Sequence, residues 1–311
     1  MPAMAPDAGV PALLLGAALL GVAPAAAQLE ASERATVSQV LDGTRVTVDY
    51  GRPRARGRTG LFGRQVPASE IWTPGANKAT TLSLSKDVTI GGAAVPRGTW
   101  SVWLAMSKPV WELVLDRDST LFHTQGPKPR PGQVRIPVSR ERRPFMDPLT
   151  WWFPALSSTA MTLAMQWDTV YVALEIRVTP TYGTAVTSEA GRRVEGSYRV
   201  TMEWTPPPGE PDSTLTPEEP PPTDLHMTVR HEGGELRATL DPPMFPSDDY
   251  RDWKLIPARG DWYYLGRMQQ GELAEIWDWA ALQFAVVDGK ATGFEIRDRR
   301  DTRVGRGERV R

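Results

Sequence analysis

Four arginines alternate along the stretch YGRPRARGRTGLFG: Arg52, Arg54, Arg56 and Arg58, followed by Gly60 and Gly63. In an extended segment that spacing puts all four on one face. Pro53 favours extension, because it fixes its own φ and restricts the residue before it. A row of guanidiniums on one face can hold an anion through charge-assisted hydrogen bonds. The same row can belong to an ordered Ω-type loop whose arginines bridge to Glu70 or Asp49 and otherwise face water. Under the ligand reading, Arg52, Arg58, Trp72 and Asn77, with Thr80 beside them, form the rim of a site for an anionic or hydroxylated ligand. Gly57, Gly60, Gly63 and Gly75 permit tight turns there, and Asn77 can pin its loop by bonding to neighbouring main chain.

Catalytic signatures are sparse. The chain has no Gly-x-Ser-x-Gly elbow, no Walker loop, no dinucleotide fingerprint and no cysteine. Its histidines are His123, His226 and His231. His231 and Glu232 resemble the start of a zinc-peptidase helix, but the second His is missing and Gly233 and Gly234 would break that helix. His226 and His231 lie an odd number of residues apart, so one strand would carry them on opposite faces. A Ser-His-Asp site built on His123 competes with a plain solvated loop histidine. Glu70 and Glu112 are the first pair to consider for glycoside cleavage, although nothing in the sequence selects a pair. No catalytic residue, metal ligand or cofactor is assigned.

Aromatic content is the richer signal, with twelve tryptophans. Most belong in a core, since each buries a large area. Trp151 and Trp152 must point to opposite faces of a strand, as must Trp100 and Trp103, so the pattern predicts that one of each pair lies outside the core. The outer member of the first pair is either covered by another domain or forms a stacking platform. Trp277 and Trp279 share a face and read as core.

The elements around these residues are strands. Val46 and Val48 alternate with Arg45, Thr47 and Asp49; Val172, Leu174, Ile176 and Val178 alternate with Ala173, Glu175 and Arg177. Turn signals punctuate such runs at Gly91 and Gly92, Pro96 to Gly98, Asp116 to Asp118, and Asp288 and Gly289. No long helical stripe competes. Many short strands at this spacing predict a sandwich or barrel.

The ends and the composition bound the setting. Val10 to Val22 has the length of a signal-peptide core, and Ala25, Ala26 and Ala27 supply a small-residue cleavage pattern, so residues 1–27 are expected to direct export to the periplasm or the cell exterior. No other run approaches the roughly 20 residues of a membrane span. A formal net charge of −1 gives no electrostatic case for nucleic acid. The stretch TPPPGEPDSTLTPEEPPPT reads as a solvated loop over 205–223. The tail from Arg297, with seven arginines against three acids, reads as a solvated end or a contact with anionic envelope polymer.

Two resemblances sharpen this. YGRP (Tyr50 to Pro53), LFG (Leu61 to Gly63), GAN.AT (Gly75 to Thr80), KDVTIGG (Lys86 to Gly92), P.GTWS (Pro96 to Ser101) and WELVLDRD (Trp111 to Asp118) make residues 36–178 similar to the domain of unknown function family 2911, exported bacterial proteins with no assigned activity. Of the four arginines only Arg52 and Arg58 belong to that pattern. Thr73, Asp116 and the pair Phe122 and His123 stand where the family usually has Arg, Asn and Tyr, which implies a different ligand if those positions touch one. Residues 194–300 resemble the small lipocalin-like β module found after some serine hydrolase domains, through Gly196 to Tyr198 and Gly234 to Leu236.

The expected architecture is all-β: a signal peptide (1–27), an N-terminal β-sandwich (34–180), a linker (181–193), a small antiparallel lipocalin-like barrel or half-barrel (194–300) and a basic tail (301–311). The expected function is a non-catalytic binding module for a carbohydrate or other envelope-derived small molecule. A hydrolase with dispersed carboxylates and an envelope structural or assembly factor are the alternatives. The sequence assigns no oligomeric state.

Overall fold

A computed structural model describes residues 31–66, 71–107, 109–203, 224–243 and 251–310. The expected signal segment, Glu70 and the proline-rich stretch 205–223 lie outside the described residues.

The first part of the chain runs β1 (Arg34–Leu41), β2 (Thr44–Gly51), β3 (Ile71–Trp72), β4 (Thr80–Leu84), β5 (Val88–Ile90), β6 (Ala93–Val95), β7 (Gly98–Ala105), β8 (Trp111–Asp116), β9 (Val134–Val138), β10 (Arg140–Leu156) and β11 (Ala160–Val178). One sheet has the order β1-β2-β4-β7-β8-β9, with β3 added to β7; the second has the order β10-β11-β5-β6. Their inner faces share one core. Val46, Val48, Leu82, Trp100 and Leu113 of the first sheet meet Leu149, Trp151, Leu163, Leu174 and Ile176 of the second. This is the expected β-sandwich, and the alternation read at Val46 and at Val172 sets which side chains point into it. The β1–β2 hairpin closes through Asp42 and Gly43, at φ of 45° and 65°, the two-residue turn whose twist suits antiparallel strands.

One tryptophan pair comes out differently from the sequence reading and the other as expected. Trp100 and Trp103 point to opposite faces of β7, yet both are buried, at 2% and 0% exposure. The outer face of this sheet is covered too: Trp103 packs with Ala79 and Val114, and Ile71 and Leu121 close over them. Two main-chain bonds hold that cover, Ala79 N to Leu121 O at 2.9 Å and His123 N to Asn77 O at 2.8 Å. Trp151 is core, with Nε1 donating to Pro74 O at 3.1 Å. Its neighbour Trp152 is half-buried against Tyr171, 5.8 Å away between ring centres.

A short helix, α1 (Ser188–Val194), occupies the second half of the expected linker. Thr187 caps it, accepting from Ala190 N. Eight strands then close into an antiparallel barrel: β12 (Gly196–Met202), β13 (Asp224–Glu232), β14 (Glu235–Asp241), β15 (Asp252–Pro257), β16 (Trp262–Gln269), β17 (Glu272–Val287), β18 (Lys290–Asp298) and β19 (Arg303–Arg309). The barrel interior is filled by side chains, among them Leu225, Leu236, Leu255, Phe284 and Phe294. Tyr198, Phe284 and Phe294 meet ring to ring with centres 5.1 to 5.7 Å apart. Outward positions on β13 and β14 alternate with these and include His226, Arg230, Arg237 and Asp241.

Two expectations are corrected here. Residues 303–309 are no solvated tail: they form β19, which pairs with β18 on one side and with β12 on the other, from Tyr198 opposite Arg309 to Met202 opposite Gly305. Trp277 and Trp279 are not both core. Trp277 packs on the barrel interior against Trp253, with ring centres 4.6 Å apart, while Trp279 is 37% exposed.

Candidate functional site

After leaving β2 the chain runs antiparallel beside β10. Ala55 N donates to Asp147 O at 2.7 Å, and Leu149 N donates to Pro53 O at 2.9 Å. This pairing keeps the chain extended only as far as Ala55; a turn follows at Arg56 and Gly57, with φ of 53° and 74° and Arg58 N donating to Ala55 O at 3.1 Å, so the four arginines do not share one extended face as the spacing implied. Ala55 faces inward and is fully buried, while Arg52, Arg54, Arg56 and Arg58 are all exposed.

Their partners differ in a way that matters electrostatically. Arg54 is neutralised: its Nε donates to Asp147 Oδ2 at 2.7 Å. The other oxygen of Asp147 accepts the amides of Arg56 at 2.6 Å and Gly57 at 3.4 Å. The Arg54 hydrogen bond and these amides hold the Asp147 carboxyl below its ordinary range. Arg52 and Arg58 are held by neutral acceptors instead. Arg52 donates to Leu149 O at 3.3 Å and Thr150 Oγ1 at 3.1 Å. Arg58 donates to Ala55 O at 2.7 Å and Arg54 O at 3.2 Å. Arg56, at φ 53°, has no side-chain partner among the described residues. A guanidinium fixed by carbonyls is oriented without losing its charge.

Beside this segment lies a cleft of about 600 Å³ lined by Glu33, Arg34, Arg52, Arg54, Arg56 and Pro148. Arg34, opposite Gly51 in the β1–β2 ladder, pairs with Asp49 and donates to Lys78 O at 3.2 Å. Arg54 and Arg56, which fall outside the family pattern, therefore line the cleft together with Arg52, whereas Arg58 braces the loop.

The remaining residues of the expected rim sit elsewhere. Trp72 is half-buried in an aromatic cluster, stacked on Trp167 at 6.0 Å and edge-on to Phe62 at 5.4 Å. Asn77 takes a positive φ of 62° in the turn before β4, and its carbonyl accepts from the main chain of His123. Thr80 is fully buried: its amide donates to Thr73 Oγ1 and its hydroxyl to Pro74 O, both at 2.9 Å. The glycines of this motif allow a close approach, because a Cβ on Gly51 would lie 2.3 Å from Ala76 O. The structure thus joins Arg52 to Arg54, Arg56 and Arg34, and places Trp72 and Thr80 in packing roles.

The candidate chemistry weighed from sequence is dispersed as well. Glu112 pairs with Arg135 at 3.3 Å, and Glu70, its suggested partner, lies outside the described residues. His123 Nδ1 is 3.1 Å from Asn77 O. Among the described residues no three His, Cys, Asp or Glu groups are arranged to hold a metal ion. At the end of β8, Asp116 is fully buried and bound by Arg130, Gln133 and the Asp118 amide. Burial pushes its carboxyl up, and those hydrogen bonds outweigh burial and hold it below its ordinary value.

Residues 32–176 match the model of a family of proteins of unknown function, DUF2911. Over these residues the sandwich is similar to the DUF2911 family. The match spans β1 to near the end of β11 and includes both the arginine segment and the cleft it lines. The barrel lies beyond it. No curated protein and no solved structure matches the chain. Within the matched residues, Arg34 and Asp147 were not singled out by the sequence. Arg34 enters the cleft only through strand register, and Asp147 only through the pairing of β10 with a segment about 90 residues earlier.

Proposed function

We propose that the sandwich domain is a non-catalytic binding module of an exported protein, and that the arginine cleft holds a small anionic ligand of the cell envelope, such as a phosphorylated or carboxylated sugar. One observation carries the reading: Arg52 and Arg56 face the cleft, whose lining includes the single acid Glu33 among the described residues, and neither arginine forms an ion pair with a described carboxylate, while Arg58 behind them is held by carbonyls. An incoming phosphate or carboxylate gains charge-assisted hydrogen bonds from Arg52, already held by Leu149 O and Thr150 Oγ1, and from Arg56, whose exposed side chain orders on binding. The exposure of the cleft predicts affinity that falls with salt.

Calorimetric titration with a sugar phosphate, with a uronic-acid oligomer and with their uncharged counterparts tests this. Binding of an anionic probe, weakened roughly 10-fold or more by Arg52→Ala and by Arg56→Ala, is expected from the loss of hydrogen bonds to a charged group. Arg299→Ala, on the barrel, should bind as the parent does. Equal binding by both cleft variants, or preference for the uncharged probes, would refute the assignment.

A further inference from the structure

A second, larger cleft of about 1170 Å³ opens between the sandwich and the barrel. Its floor is the segment that joins them, and that segment is tied down at both ends. On the sandwich side, the carboxylate of Asp42 in the β1–β2 turn accepts from both Thr181 N and Thr181 Oγ1, each at 2.6 Å. On the barrel side, Thr184 Oγ1 donates to Glu235 at 2.6 Å and Val186 N donates to Gly234 O at 2.8 Å. Between the ties, Tyr182 packs against Ile256, Met268 and Leu273 on the outside of the barrel. Burial raises its hydroxyl, which is hydrogen-bonded to Ser158.

From this cleft we infer a second binding site, for an uncharged oligosaccharide. Three features select that class. Among the described residues no lysine or arginine lines the cleft, so it lacks the recognition chemistry of the arginine site. Three of its four carboxylates are already engaged: Asp42 by Thr181, Glu275 by Arg267 at 3.4 Å and Asp278 by Arg299 at 2.5 Å. The fourth, Glu272, is exposed, and the remaining polar side chains of the lining are uncharged. Tyr264, Gln269 and Gln270 line the wall, and among the described residues their side chains have no hydrogen-bond partner. Tyrosine rings and aliphatic walls suit the apolar faces of pyranose rings, and amides suit paired hydroxyls, since each amide both donates and accepts. The volume exceeds the usual range of about 300–1,000 Å³ for small-ligand sites and fits an extended ligand better than a single sugar. A ligand seated there touches both the sandwich, through Ser157 and Ser158, and the barrel.

The test is calorimetry of the full chain with three neutral probes, cellotetraose, maltotetraose and tetra-N-acetylchitotetraose, each to about 10 mM. At least one should bind, with an affinity unchanged between low and high salt. Gln269→Ala and Gln270→Ala alter exposed side chains and should fold; each should weaken that binding about 3- to 10-fold, the usual effect of losing a neutral hydrogen bond. Tyr264→Phe, which keeps the ring, should weaken it by a similar factor. Arg52→Ala should leave it unchanged, which separates this site from the anion cleft. Failure of all three probes to bind, or binding that survives the Gln269 and Gln270 double variant intact, overturns the inference.

Discussion

Arg309 is the residue on which closure of the barrel turns, and removing its side chain should show how much that closure is worth. It lies at the end of β19, half-buried, opposite Tyr198 of β12. Its guanidinium reaches three acceptors on three neighbouring segments: Ala291 O on β18, Glu195 O after α1 and the Tyr198 hydroxyl, the last two at 2.6 and 3.1 Å. Tyr198 in turn donates to Val194 O at 2.5 Å and is fully buried. Hydrogen bonds in folded proteins contribute about 1 kcal/mol each net, more when one partner is charged. Part of Arg309 is solvated, so three such bonds come to about 2–3 kcal/mol for Arg309→Ala. A barrel of this size unfolds with a urea slope of roughly 1–1.5 kcal/mol/M. Its midpoint should therefore drop by about 2 M. The assay is urea unfolding followed by tryptophan emission, with Arg306→Ala as the control. Arg306 lies on the same strand but points outward, with Glu308 3.8 Å away, and should move the transition by less than about 0.5 kcal/mol. Equal midpoints for the Arg309 variant and the parent, or equal losses in both variants, would refute the latch.

Three further outcomes follow from the same structure. Asp116 titrates below its ordinary value in the fold, so the stability it contributes is present above its unfolded value of about 4 and is lost as pH falls through the folded one; urea midpoints of the sandwich should fall steeply below about pH 4, and less steeply in Asp116→Asn. A Cβ at Gly307 would lie 2.3 Å from the Phe294 ring, so Gly307→Ala should destabilise the barrel by about 1–3 kcal/mol through overpacking, measured by thermal melting. Asp147→Ala removes the carboxylate that gathers Arg54 and the amides of Arg56 and Gly57; trypsin should then cut within 52–58 several-fold faster while the rest of the domain stays folded.

Particular residues show what the sequence could and could not reveal. Val46, Leu82, Leu174 and Leu236 announce their strands because one face of each strand is buried and the other is wet. The same rule fails at β7, where both faces are covered, so Trp100 and Trp103 defeat an argument that allows only one of them inside. It fails again at β19. Its buried positions are Val304, Gly305 and Gly307, with the Phe294 ring filling the space at Gly307, and two glycines there leave no hydrophobic alternation between the arginines. The arginine segment was legible as extended only through Ala55, as Pro53 dictates; the turn at Arg56 and Gly57, both at positive φ, was not read from the spacing. The segment's partners were not legible, because Arg34, Asp147 and Thr150 reach it through register and through contacts across the fold. The family motif around Asn77 and Thr80 marked residues that matter, but Thr80 serves a close approach of main chain.

The position of β19 also sets the order in which the molecule can be completed. Its partners are β18, just before it, and β12, about 100 residues earlier in the chain. Until residues 303–309 arrive, β12 and β18 present open backbone edges to whatever else is near. The sandwich has no such dependence: every strand in it finds its partners within residues 34–178. During synthesis the first half can therefore acquire its structure early, whereas the second must wait with open strand edges. A chain interrupted a few residues before Arg303 would carry a finished sandwich tethered to an unfinished barrel, and cellular quality control would have an exposed edge by which to recognise it.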